Sequence, residues 1–452
     1  MLESSNRNVA VLGAGPAGLF AARELAQAGV QVTLINRDIK PGGLAEYGIY
    51  PDKYKMKDGL RRQFRQVMEE ENIHYFGNLS VGAEGELSLD DIRSMGFDAI
   101  LVTVGAQGTK WLGMPGEELE GVYHAKDLVY HYNKLPPFSL QDFAIGQRIL
   151  CVGVGNVMLD IAHWAVRDLK VKEIIAIARR GPADVKFTKK EMELVAHNLD
   201  LDALDAEFER TGPIMDAVGQ DAQAAKDFIL AALDGALEPV SDTRFELQFL
   251  ASPNRILGDE FGRVRGIEVE DTTLELRERG GSRAVGLGTT RVINCDTVVF
   301  CIGDRVDDRL GLPLDKWGEF AKHPQPRFPI DESSYEAYDP QAEKALEGIF
   351  LAGWAREASS GLVGTARKDG TNGAKAVLAY LESGAGGSQK EDALAQLADR
   401  AHTFKQPVVR KTDWKRLEEV EADKAAELGL QEFKYPSNEE MLAAIGMQAE
   451  TA

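Results

Sequence analysis

The sequence predicts an α/β protein with two Rossmann-like domains, the second inserted into the first. A strand, a glycine turn, a helix and a second strand follow one another over residues 8–37, and the same order returns over residues 148–178. A further strand and helix follow from Gly348 onward, where we expect the chain to return to the first domain. The sequence therefore predicts a discontinuous first domain around a continuous second one.

The predicted boundaries follow from these patterns. We expect residues 1–105 and 331–452 to form the first domain, with a helical segment over residues 390–452, and residues 106–330 to form the inserted domain. A chain of 452 residues with 44% hydrophobic residues is long enough for two cores. No apolar run reaches the roughly 20 residues of a membrane span, and the polar N-terminal stretch favours a cytoplasmic protein.

Charge and cysteine usage exclude several classes of protein. A net charge of −20 argues against general nucleic-acid binding, because neutralising phosphates requires a basic face. Cys151, Cys295 and Cys301 lie in apolar, strand-like contexts without a CxxC pair. We therefore expect small core residues rather than a disulfide framework, an iron–sulfur cluster or a redox disulfide, and we expect no metal site.

The first glycine turn has the spacing of a dinucleotide site. Gly13 permits a tight turn, Gly15 lets the backbone approach a pyrophosphate, and Gly18 allows the helix to pack closely on the strand. The free N–H groups at the helix N-terminus, beside Ala17, would then hold the phosphates. A turn required only by packing is the alternative. Further candidates are Gly105, after a third strand-like run, and Asn36, whose amide oxygen stands where an acidic residue usually takes the ribose.

The second glycine turn, with Gly153 and Gly155, favours a different nucleotide. Met158 is bulky where a third small residue is usual, but Arg179 and Arg180 end the next strand in place of an acidic ribose ligand. A guanidinium suits a 2′-phosphate by charge and bidentate geometry. We therefore expect NADP(H) rather than NAD(H) here, the alternative being two solvated arginines, and we assign the first turn to FAD. Hydride transfer between the two cofactors then needs an external electron acceptor.

Several segments together resemble the adrenodoxin reductase type of ferredoxin–NADP reductase. The matching segments are Val11–Gly18, Gly42–Leu44, Tyr47–Ile49, Pro51–Asp52, Gly155–Val157, Leu159–Asp160, Ala178–Pro182, Phe187–Glu191, Gly353–Trp354, Gly361–Thr365, Asp413–Leu417 and Asn438–Leu442. The resemblance implies a glutathione reductase-like fold, and an FAD site lined by Gly43, Leu44, Trp354, Gly361, Leu362 and Val363. It also implies NADP(H) contacts from Asn156, Val157, Arg179, Arg180 and Glu191.

Departures from the family pattern fall near the expected flavin. Lys53 stands where the family has histidine, Glu46 where it usually has arginine, and the loop before Gly361 differs. A permanently charged ammonium does not replace an imidazole that titrates near neutral pH. Lys53, Glu46 and Trp354 are therefore the candidates for residues that affect flavin chemistry.

A basic stretch suggests how a partner docks. Its six cations are Lys53, Lys55, Lys57, Arg61, Arg62 and Arg65, with Arg367 and Lys368 as further candidates. They would steer a small acidic iron–sulfur protein such as ferredoxin, unless they form an ordinary solvated face. The sequence thus predicts a flavoenzyme that exchanges electrons between NADP(H), FAD and ferredoxin. The alternatives are an electron-delivering subunit like the small subunit of glutamate synthase, or a non-catalytic NADPH-binding sensor.

Overall fold

The computed structural model describes residues 7–278, 280–359, 361–384 and 392–448. The strands are β1 (Asn8–Leu12), β2 (Gln31–Ile35), β3 (Ile73–Phe76), β4 (Ala99–Val102), β5 (Gly108–Thr109), β6 (Val122–His124), β7 (Arg148–Val152), β8 (Glu173–Ile177), β9 (Arg244–Gln248), β10 (Ala251–Gly258), β11 (Val264–Leu276), β12 (Ser282–Ile293), β13 (Thr297–Phe300), β14 (Asp304–Arg305), β15 (Glu336–Asp339) and β16 (Lys344–Leu351). The helices are α1 (Pro16–Gln27), α2 (Leu44–Tyr47), α3 (Tyr54–Met68), α4 (Leu89–Ser94), α5 (Ala125–Tyr132), α6 (Asn156–Trp164), α7 (Lys189–Met192), α8 (Leu201–Ala217), α9 (Ala222–Leu230), α10 (Val363–Glu382), α11 (Ala393–Ala401), α12 (Lys411–Glu427) and α13 (Asn438–Ala444).

The chain divides into two compact units. The first comprises the described residues of Met1–Gly108, Tyr130–Leu140 and Asp304–Ala452, and the second comprises Thr109–Val129 and Gln141–Gly303. The short segment 130–140 and residues 304–330 are thus grouped with the first unit. Which cofactor each unit holds stays a prediction.

The first unit is built on a six-stranded sheet in the order β15-β16-β4-β1-β2-β3. Its strands run parallel except for β15, which pairs antiparallel with β16. Alternate side chains of β1 enter different cores: Val9 and Val11 pack with α1, α3 and α10, whereas Ala10 and Leu12 pack with α4 and α11. Because successive side chains of a strand point to opposite faces, a strand covered on both faces is apolar throughout.

The second unit contains a parallel sheet of its own and a smaller antiparallel one. The parallel sheet has the order β6-β13-β7-β8-β9, and the antiparallel sheet has the order β10-β11-β12. Cys151 lies in the buried strand β7, and Cys295 and Cys301 are also buried, as expected of core residues. The predicted α/β class with two Rossmann-like sheets is confirmed. None of the described helices is both long and apolar enough to cross a membrane.

Candidate cofactor sites

The first glycine turn requires glycine at two of its three positions for steric reasons. Gly13 has a φ of +105°, and a Cβ there would lie 2.6 Å from the carbonyl oxygen of Thr103. A Cβ on Gly18 would lie 1.9 Å from the carbonyl oxygen of Gly13. A Cβ on Gly15, by contrast, would have no heavy atom within 4 Å. The turn therefore packs tightly on its inner side and leaves open space on the side where Gly15 lies.

The N-terminus of α1 suits an anion. The N-cap Gly15 offers no side-chain acceptor, Pro16 starts the helix, and the first turn carries no acidic residue. The N–H groups of a helix's first turn have no partners within the helix, and the helix dipole favours negative charge there. Open space beside Gly15 together with these N–H groups fits a pyrophosphate.

Asn36 anchors the first glycine turn, a role that sequence reasoning missed. Its side chain is 7% exposed, and its Oδ1 accepts a hydrogen bond from the backbone N–H of Ala14 at 2.9 Å. Its Nδ2 donates to the carbonyl oxygens of Asp38 at 2.8 Å and Lys40 at 3.1 Å. The amide thus joins the turn to the loop after β2, and the oxygen expected to face a ribose already accepts a bond from the protein.

A second turn, the double-glycine turn Gly42–Gly43, lies against the first. The N–H of Gly42 donates to the carbonyl oxygen of Ala14 at 2.7 Å, and a Cβ on Gly43 would lie 3.1 Å from the Cα of Gly15. Both glycines have positive φ, +120° and +50°, a conformation that other residues rarely adopt. The predicted FAD contacts Gly43 and Leu44 are therefore next to the first glycine turn.

The segment before α10 approaches the first turn of α1. A Cβ on Gly353 would lie 2.6 Å from the Cβ of Ala17, and a Cβ on Gly370 would lie 2.1 Å from the carbonyl oxygen of Ala17. Asp369 holds this segment, because its Oδ2 accepts from the N–H of Gly353 at 2.6 Å and its Oδ1 from Arg356 at 2.6 Å. The structure thus brings the start of α10 to the N-terminal end of α1.

The other candidates of this segment differ in exposure. Trp354 is half-buried, Leu362 is 65% exposed as the N-cap of α10, and Val363 begins that helix without a side-chain cap. Gly361, with a φ of +72°, is exposed beside them. Gly105, with a φ of +75°, follows the strand whose end contacts Gly13. These residues lie on the same unit as the first glycine turn.

Glu46 is not an open acid beside a cofactor. It is 3% exposed and accepts two hydrogen bonds from Arg61, at 2.7 and 2.6 Å, while Lys434 Nζ lies 3.1 Å from its Oε1. Burial alone would raise the pKa of this carboxyl, but Lys434, Lys40 and Arg61 hold it well below the ordinary value of 4.5. Glu46 is therefore ionised at neutral pH within the first unit. Lys53, the other departure from the family pattern, lies half-buried in the turn before α3.

The second glycine turn repeats the geometry of the first. Gly153 has a φ of +114°, and a Cβ there would lie 2.6 Å from the carbonyl oxygen of Cys301. Gly155 again has open space, and the chain enters α6 directly after it. Met158 is fully buried, so the bulky side chain at the third position packs into the core and does not block the turn. Val157, on the first turn of α6, is 41% exposed.

The predicted NADP(H) residues follow neighbouring strands of the second parallel sheet or contact the helix after the second glycine turn. Oδ1 of Asn156 accepts from the N–H of Thr188 at 2.9 Å, and Glu191, which is half-buried, follows in the first turn of α7. Arg179 and Arg180 follow β8, which pairs in parallel with β7 beside the second glycine turn. Arg179 is exposed, whereas Arg180 is half-buried and contacts Asp184 at 3.4 Å. The carboxyl ends of neighbouring parallel strands are where nucleotides bind in such sheets.

The expected surface of six cations, five on α3 and Lys53 just before it, is wrong for Lys57 and Arg61. Lys57 is 1% exposed and contacts Glu432 at 3.2 Å, and Arg61 is paired with Glu46. One face of α3 packs inward, and it carries positions 57, 60, 61, 64, 67 and 68. Two of the expected cations therefore point into the interior. Lys55 and Arg62 remain exposed on the other face, and Arg65 is exposed but paired with Glu418.

Fold and glycine turns together define the class of this protein: an α/β protein with two dinucleotide-type folds. Residues 7–199 match the family described as pyridine nucleotide-disulphide oxidoreductase. Among the described residues, no group of His, Cys, Asp or Glu is arranged to hold a metal ion.

Individual proteins match over more of the chain than the family model does, and their names are more specific. The chain is 26% identical over 471 residues to an NADPH:adrenodoxin oxidoreductase, mitochondrial, of Arabidopsis thaliana, covering 97% of this chain and 95% of the relative. It is 27% identical over 471 residues to the NADPH-ferredoxin reductase FprA of Mycobacterium leprae, covering 96% and 97%. The solved structure of Mycobacterium tuberculosis FprA in complex with NADPH superposes with a TM-score of 0.80 at 24% identity, covering 98% of this chain and all of the other, and shows the fold. The resemblance inferred from the motifs is confirmed.

Proposed function

We propose that this chain is an FAD-dependent oxidoreductase that exchanges electrons between NADP(H) and a small iron–sulfur protein of the ferredoxin type. The observation that carries the proposal is the pair of open glycine turns on separate parallel sheets, of which the second alone is followed by the arginine pair Arg179 and Arg180. Relatives named as NADPH-dependent adrenodoxin and ferredoxin reductases support it over nearly the whole chain.

The first unit offers the elements that a flavin dinucleotide needs. The N-terminus of α1 and the open side of Gly15 would hold its pyrophosphate, and the double-glycine turn beside them would lie along it. When bound, FAD and NADP(H) supply the hydride transfer and the release of single electrons. The protein's own residues bind and orient the two cofactors, and they need no acid–base group for that step.

NADP(H) selectivity is tested at the arginine pair. Replacing Arg179 by Gln removes one charge-assisted contact to a 2′-phosphate, so we expect the KM for NADPH to rise by roughly 10-fold or more while the KM for NADH stays the same. Arg167→Gln, an exposed arginine of the same unit, is the matched control and should change neither value. Equal effects of Arg179→Gln on both nucleotides would refute the assignment.

The proposed partner is an acidic iron–sulfur protein, and its docking surface is smaller than the sequence predicted. Arg62 and Lys368 are exposed, and Arg367, also exposed, lies over the ring of Phe20 at 4.4 Å with its Nη1 3.3 Å from Oε1 of Gln63. Arg367 thus joins α10 to α1 and α3. Together with Arg62 and Lys368 it would form a local basic surface on a chain of net charge −20. Such a surface would steer a negatively charged partner.

Two substitutions test the docking surface. Arg62→Ala combined with Arg367→Ala should raise the KM for ferredoxin several-fold at low salt and flatten its dependence on ionic strength, leaving NADPH-driven flavin reduction intact. Arg93→Ala, an exposed cation on α4, is the control. A KM for ferredoxin that changes no more than in this control would place docking elsewhere. A cytoplasmic location belongs to the same proposal, although several relatives are named mitochondrial, and fractionation of native cells tests it.

A further inference from the structure

A group of buried charges lies behind the double-glycine turn. It consists of four cations and three carboxylates, each with a side chain less than one-fifth exposed: Lys40, Lys57, Arg61, Lys434, Glu46, Glu421 and Glu432. We call this group the buried charge cluster. Its members come from the loop after β2, from α2, from α3 and from the C-terminal part of the chain, so it joins segments that are far apart in sequence.

Glu46 is the member that contacts the turn. A Cβ on Gly42 would lie 2.9 Å from the Cβ of Glu46, and the double-glycine turn in turn lies against Gly15. The backbone carbonyl oxygen of Glu46 also accepts a hydrogen bond from Nζ of Lys434 at 2.9 Å, so Lys434 contacts both the side chain and the main chain of this residue. Lys434 therefore holds α2, the short helix that directly follows the turn.

Further contacts hold the C-terminal segment against the rest of the first unit. Nζ of Lys40 bonds Glu421 on α12, and Nζ of Lys434 donates to the carbonyl oxygen of Asn133 at 3.3 Å. Trp414 and Leu417 of α12 pack into the same core as α1. Breaking one partner of a buried ion pair is strongly destabilising because it leaves an uncompensated charge, so these contacts fix the geometry of whatever they join.

We propose that Glu46 is a positioning residue for the flavin site, and that Lys434 of the C-terminal segment holds the double-glycine turn in place through it. The inference rests on the proposed function, because it assigns the flavin to this turn. It also gives the C-terminal segment a role in cofactor binding, even though the segment contributes no glycine turn. Glu46 acts here through the backbone of the turn and contributes no proton to the reaction.

The test uses the full-length protein and its affinity for FAD. Glu46→Gln and Lys434→Met should each raise the dissociation constant for FAD at least 10-fold and shift the flavin absorption spectrum, while the KM for NADPH stays within twofold of wild type. Lys434→Arg, which keeps the charge, should restore most of the affinity. The control is Glu336→Gln, because Glu336 is 1% exposed and pairs with Arg327 at 2.7 Å but does not contact the turn.

The outcomes separate this inference from the proposed function. If Glu336→Gln lowers the melting temperature as Glu46→Gln does but leaves FAD affinity unchanged, the positioning role is supported. If Glu336→Gln weakens FAD binding equally, or if Lys434→Met leaves it unchanged, the inference is wrong. If Glu46→Gln does not fold, the comparison of Lys434→Met with Lys434→Arg still tests the inference. A wild-type protein that binds no FAD would refute the proposed function itself.

Discussion

Lys57 gives the sharpest prediction about stability, because it is an ammonium group buried within the first unit. Its side chain is 1% exposed, contacts Glu432 at 3.2 Å, and lies 3.5 Å from Oδ1 of Asn133. Burial, followed by the nearby charge of Lys434, lowers the pKa of Lys57 from its ordinary 10.5 to about 8, despite the opposing attraction of Glu432. The amine of Lys57 therefore binds its proton less tightly in the folded protein than in the unfolded chain.

The sign of the pH dependence follows from this difference. Between the two pKa values the unfolded chain binds more protons, so stability rises with pH. At pH 7 the buried ammonium lowers the free energy of unfolding by about 3 kcal/mol, and the loss shrinks by about 1 kcal/mol by pH 9. This destabilisation would disappear only at a pH above 10.5, the pKa of Lys57 in the unfolded chain.

Replacing Lys57 by Met keeps the side-chain length and removes the titrating amine. The free energy of unfolding is measured for both proteins in urea at 25 °C. Between pH 7 and pH 9, the wild-type value should rise by about 1 kcal/mol more than the value of Lys57→Met. Lys55→Met, at an exposed position one half-turn earlier on α3, should follow the wild-type pH profile. Parallel profiles for wild type and Lys57→Met would show that the amine does not titrate in this range.

Three further substitutions test the first glycine turn. Gly18→Ala places a Cβ 1.9 Å from a carbonyl oxygen, so we expect a large fall in melting temperature and loss of bound flavin; an unchanged melting temperature would contradict this packing. Gly15→Ala points a methyl group into open space, so the circular dichroism spectrum should stay native while the affinity for FAD falls; unchanged affinity would place the pyrophosphate elsewhere. Asn36→Asp loses the two donors to the carbonyl oxygens of Asp38 and Lys40, and should lower the free energy of unfolding by about 2 kcal/mol in urea, whereas an unaltered value would show that these bonds contribute nothing.

The two glycine turns could be located from sequence because their signal is local. Gly13 and Gly18 must be glycine for reasons that lie within a few residues and one neighbouring strand, and the spacing alone reports this. The same holds for Gly153 and for the arginine pair after β8. These elements fix the α/β class and the expected cofactors.

Contacts between distant segments could not be predicted in this way. Glu46 and Lys434 are 388 positions apart, and nothing near either residue indicates the other. Asn36 matched the position of a ribose ligand, but its Oδ1 accepts from the N–H of Ala14 while its Nδ2 donates to the carbonyl oxygens of Asp38 and Lys40. A carboxylate can only accept, so it could not make both kinds of contact. The burial of Lys57 could have been found, since it shares the apolar helical face of Phe64 and Met68.

The most direct test of the whole account follows the electrons through the purified protein. Under anaerobic conditions, NADPH should bleach the absorption band of a bound flavin faster than NADH does, and added oxidised ferredoxin should then restore the band as it becomes reduced. A protein without a flavin band would favour a nucleotide-binding sensor. Faster reduction by NADH would contradict the role of Arg179 and Arg180, and a flavin that stays reduced with ferredoxin present would contradict the proposed partner.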